Sequence, residues 1–84
     1  MSDVHVMFRG NTDDFVFEDL FPVERYQQLG IVEGTTPTPS TVSQDQIVMA
    51  LAQHYDVGVG EFSDHKVEIN KNGNITVRAD TVFG

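Results

Sequence analysis

The chain has 84 residues, with 13 acidic and 5 basic side chains, a formal charge of −8 and no cysteine. That length allows one modest core, so one domain spanning 1–84 is expected. The missing thiols exclude disulfides, thiolate metal sites and a cysteine nucleophile, while the surplus of carboxylates argues against direct binding of nucleic acid through its phosphates. No apolar run reaches the length of a membrane span, and Met1-Ser2-Asp3 opens no signal-peptide pattern. A cytoplasmic protein with no membrane contact is therefore expected.

Val4, Val6 and Phe8 alternate with His5, Met7 and Arg9, the period of a half-buried strand. The turn-forming run Gly10-Asn11-Thr12-Asp13 follows, and Phe15 and Phe17 resume the alternation. Pairing Phe8 with Phe15 and Val6 with Phe17 predicts a hairpin with one apolar side. In residues 20–31, Pro22 suits a first helical turn and Gly30 its end, so a short helix or helical turn is predicted. Residues 32–41, with two prolines, one glycine and no periodicity, read as an exposed loop.

Residues 42–55 carry the strongest helix signal. Ser43 can cap the amino end with Gln46 reaching back to it, and Val42 can pack on Ile47 across the cap. Ile47, Val48, Leu51, Ala52 and Tyr55 then form one core-facing stripe that Gln44, Gln46 and Gln53 avoid. Residues 56–64 return the chain to a second hairpin, HKVEINKNGNITVRADTVF. A two-residue Asn72-Gly73 turn would scatter its apolar residues over both faces. A three-residue loop, Lys71-Asn72-Gly73, with Gly73 left-handed, instead pairs Ile69 with Ile75, Val67 with Val77 and His65 with Ala79. Each buried Val or Ile contributes about 1.5–3 kcal/mol, so the second register is predicted.

Two hairpins and an amphipathic helix bury their apolar sides together in a two-layer α+β domain: a four-stranded mixed sheet, order 2-1-4-3, with one main helix on one face. This strand-strand-helix-strand-strand order, the helix IVMALAQHY and a last strand leading to Gly84 resemble the β-grasp fold of ubiquitin-like proteins. The resemblance implies a modifier or carrier that is conjugated through Gly84 and handled by an activating or conjugating enzyme. Two departures stand against conjugation: the chain ends Val82-Phe83-Gly84 rather than Gly-Gly, and the alternation from Ile75 to Phe83 keeps its last strand in the sheet.

The chemistry-bearing residues point away from an enzyme. His5, His54 and His65 form no HxH or HxxxH pair, Asp13-Asp14 and Glu18-Asp19 read as solvated residues beside a turn and at a strand end, and the glycines show no nucleotide-binding spacing. No catalytic residue, metal or cofactor is expected. Binding remains: His5, Met7 and Arg9 should share the sheet's outer face with Lys66, Thr76 and Arg78, a partly basic patch with Met7 and Val16 as apolar anchors for a protein partner. Salt bridges to Glu68 and Asp80 are the simpler role for those cations. Outer strands are also candidates to accept a strand from a peptide or a second copy, giving a homodimer. A different class, an acidic inhibitor that mimics DNA and blocks a nucleic-acid-handling enzyme, as small proteins of mobile elements often do, fits the charge.

Overall fold

The computed structural model describes residues 3–79. Strands β1 (Asp3–Phe8) and β2 (Asn11–Val16) form an antiparallel hairpin, but its register differs from the expected one. Phe8 faces Asn11, Val6 faces Asp13 and Val4 faces Phe15. The turn is shorter than the run of turn-formers suggests: Arg9 (φ 53°) and Gly10 (φ 80°) both take positive φ, the requirement of a two-residue type I′ turn. Because the slip is an even number of residues, Phe15 keeps the inward side. Phe17 leaves the strand altogether, opening the one-turn helix α1 (Phe17–Leu20), where it is buried and stacks on Phe21 at 4.7 Å.

Pro22 precedes a 3-10 turn at Val23–Arg25, and the helical path ends at Gly30. Gly30 N–H donates to Gln27 C=O and Ile31 N–H to Tyr26 C=O, a Schellman closure that needs the φ of 73° found at Gly30. The expected helical segment and its stop are both present. Helix α2 (Gln44–Tyr55) starts at Ser43 with the full capping box: Gln46 N–H donates to Ser43 Oγ (3.1 Å) and Ser43 N–H to Gln46 Oε1 (2.8 Å). Gln46 Nε2 also donates to the carbonyls of Leu29 and Gly30, both at 3.1 Å, which ties the helix start to the Gly30 turn. Ile47, Leu51 and Ala52 are buried as the stripe requires, joined by Ala50, while Val48 and Tyr55 are only partly covered. Gln53 departs from expectation, since its Oε1 is buried and has no hydrogen-bond partner. The helix ends at Asp56, which is left-handed (φ 57°), with Val57 N–H donating back to Ala52 C=O.

A second 3-10 turn, Val59–Phe62, buries Phe62 against Phe8 at 4.5 Å and leads into β3 (His65–Ile69) and β4 (Ile75–Ala79). This hairpin has the predicted register, Ile69 on Ile75, Val67 on Val77 and His65 on Ala79, with Gly73 at φ 89°. β1 pairs with β4 in parallel, giving one mixed sheet of order β2-β1-β4-β3. Val4, Val6, Phe8, Val67, Ile75 and Val77 turn their side chains toward the helix layer and are buried with Leu29, Ile47, Leu51 and Phe62 in one cluster. The molecule is thus a small α+β domain with a four-stranded mixed sheet and one main helix.

Candidate functional site

Alternation along each strand decides which side chains lie on the face away from the helix. Pairing then sets them in rows. His5 faces Asp14 on one side and Thr76 on the other, and Thr76 faces Glu68. Thr12 faces Met7, and Arg78 faces Lys66, with Met7 and Arg78 lining one shallow cleft at the sheet end. None of these residues is buried, and Met7 is 44% exposed. The sheet therefore brings together five of the six candidate residues on one face that no described element covers: His5, Met7, Val16, Lys66 and Arg78. The two apolar anchors are not neighbours, however. Val16 faces Asp3, four residues along β2 from the Thr12 that faces Met7, which separates the anchors by about 13 Å.

Arg9 is the sixth, and its position differs from the expected one because it belongs to the turn rather than to the strand. Its guanidinium lies 4.9 Å over the Phe8 ring and pairs with Glu61, at the rim of the cleft that Met7 and Arg78 line. The other polar candidates on this face also have acidic partners. Arg78 donates to Glu68 Oε1 at 2.8 Å, Lys66 Nζ lies 3.9 Å from the same oxygen, and His5 is in hydrogen-bond contact with Asp14. The Arg78 guanidinium holds the Glu68 carboxyl below the usual carboxylate range. Asp80, the other acid expected here, and Gly84 lie outside the described residues.

The acidic pairs read from the chain take different places from those expected. Asp13 is a strand residue, not a solvated turn residue, and its partner Val6 puts it on the helix side of β2. There Tyr55 Oη donates to Asp13 Oδ2 at 2.7 Å. Burial first, then this bond and the charge of Asp13, push the Tyr55 phenol well above its ordinary range. Glu18 and Asp19 lie in α1 rather than at a strand end. Among the described residues no three His, Asp or Glu side chains gather in a group that could hold a metal ion.

Two features escape a reading by sequence pattern. An aromatic chain runs His54–Phe15–Tyr55–Phe8–Phe62–His65, each neighbour within 6.0 Å, and it draws on five elements. A groove between the Val23–Arg25 turn and the loop after Gly30 exposes Val23 (71%) next to Tyr26 and Ile31, with Glu24 and Glu33 around them. Only the missing periodicity of residues 32–41 hinted at the second. No described helix is long and apolar enough to cross a membrane. Compared with protein-family models, curated proteins and solved structures, the chain matches none.

Proposed function

We propose that this protein is a non-enzymatic protein-binding module that meets its partner with the uncovered face of its sheet. The observation that carries this reading is the one-sidedness of the sheet: among the described residues the helix layer covers one face, while Met7 stands 44% exposed on the other with Arg78 in the same cleft and Lys66 one strand beyond it. A partner surface that fits it offers an apolar pocket for Met7, flanked by carboxylates that compete with Glu68 for Arg78 and Lys66. To test it, a photo-crosslinking residue replaces Met7, and in a control replaces the exposed Glu24. A defined partner should crosslink from position 7 alone, and Arg78→Glu should weaken its binding about tenfold or more. Equal crosslinking from both positions, or none, overturns the reading.

A second reading, an acidic inhibitor that imitates nucleic acid, draws support from charge. Glu18, Asp19, Glu24 and Glu33 are exposed, and no Lys or Arg pairs with them among the described residues. Such an inhibitor would lose affinity steeply as salt rises and would be indifferent to the Met7 face.

A further inference from the structure

Among the described residues the sheet has two open edges, β2 and β3, and they differ in what they offer another strand. At the β3–β4 hairpin, Asn70 N–H donates to Asn74 C=O at 2.8 Å. Antiparallel pairing alternates from there, so Glu68 and Lys66 direct their backbone groups toward β4, while His65, Val67 and Ile69 direct theirs outward. No loop or side chain among the described residues bonds those outward groups. Beside this edge a groove opens between β3 and α2, floored by Val48, Val59, Phe62 and Val67. Val59 is 53% exposed and Ile69 41% exposed.

We propose that β3 is a self-pairing edge: two copies join antiparallel about a two-fold axis at Val67, making one continuous eight-stranded sheet. The sequence His65-Lys66-Val67-Glu68-Ile69 complements itself in this register alone. Val67 meets Val67 of the second copy and exchanges both backbone bonds with it, and His65 exchanges bonds with the second copy's Ile69, about six hydrogen bonds in all. On the outer face each Lys66 stands opposite the second copy's Glu68, so both charged pairs attract. On the inner face the valines of the two grooves approach each other. The β2 edge lacks this property, because centring it on Asp14 sets Asp14 against Asp14. The proposal does not depend on the partner-binding reading: side-by-side joining leaves Met7 and Arg78 open, and the two readings share only Lys66.

The experiment is sedimentation velocity on the full chain across a concentration series, with Lys66→Glu and Glu68→Lys variants alone and mixed. Both substituted side chains are exposed or half-exposed, and circular dichroism checks that each variant folds. The wild type should show a monomer–dimer equilibrium. Each variant alone faces like charges at both pairs, so its dissociation constant should rise on the order of tenfold. An equimolar mixture sets two lysines against two glutamates, so heterodimers should return to near wild-type affinity. Amide hydrogen exchange on the wild type gives a readout without mutation: His65, Val67 and Ile69 N–H should become protected as concentration rises. A wild type that stays monomeric to millimolar concentration, or a dimer that neither variant weakens, overturns the proposal.

Discussion

Tyr55 and Asp13 illustrate how one hydrogen bond can settle a polar group on the wrong side of a strand. Asp13 is a carboxylate on the helix side at the sheet's edge, and the 2.7 Å bond from Tyr55 Oη provides it with a protein partner. The phenol, in turn, is held neutral by burial and by that carboxylate. A group whose proton is bound more tightly in the folded state stabilises fully below its unfolded pKa, about 10 for tyrosine, and loses that contribution as pH rises beyond it. Urea unfolding should therefore show stability falling above about pH 10. Tyr55→Phe should flatten that fall and cost about 0.5–1.5 kcal/mol at neutral pH. An unchanged alkaline slope would mean that another group governs it. Arg9 makes a second point at this scale: a left-handed, non-glycine turn residue carries its charge off the sheet face to Glu61.

Among the elements, α2 is the best determined by local chemistry. Its cap needs only Ser43 and Gln46, three residues apart, and both reciprocal bonds form. Ser43→Ala should lower stability by about 1 kcal/mol in chemical unfolding. Gln46→Ala should cost at least as much, because it also releases the carbonyls of Leu29 and Gly30 that no periodicity connects to the helix. If Gln46→Ala proved milder than Ser43→Ala, the tie to the Gly30 turn would contribute nothing measurable. The two hairpins contrast in a useful way. In β3–β4 the two-residue and three-residue loops differ by an odd slip, and only the three-residue loop keeps Val67, Ile75 and Val77 inside together, so burial decides between them. In β1–β2 every even slip keeps Val4, Val6, Phe8 and Phe15 on the same side, and the turn's own φ values make the choice instead.

For the molecule as a whole, stability rests on a thin core between one helix and one sheet face. A domain of this length has roughly 4–13 kcal/mol in hand. Leu51 is fully buried at its centre. Leu51→Ala should remove about 2.7–5 kcal/mol, a large part of that total, and lower the midpoint of thermal unfolding markedly. A loss below about 1 kcal/mol would show that the helix layer collapses to fill the space. The uncovered outer face lies across the sheet from this cavity, so partner binding through Met7 should persist in any Leu51 variant that remains folded.

The capping box, the stripe of α2, the Gly30 stop and the β3–β4 register were all legible in the chain, because each depends on residues close in sequence or on a periodicity that one wrong step would ruin. From them the order β2-β1-β4-β3 followed as the economical way to cover two apolar hairpin faces with one helix. Other features needed the assembled fold. Arg9 moved off the face, Asp13 found Tyr55, Phe17 left its strand, and the outward backbone of β3 came to lie beside a groove shared with α2. The Asp13–Tyr55 bond, the Arg9–Glu61 pair and the groove between β3 and α2 join segments far apart in the chain. Local propensity is silent about such distances, and only packing in three dimensions sets them.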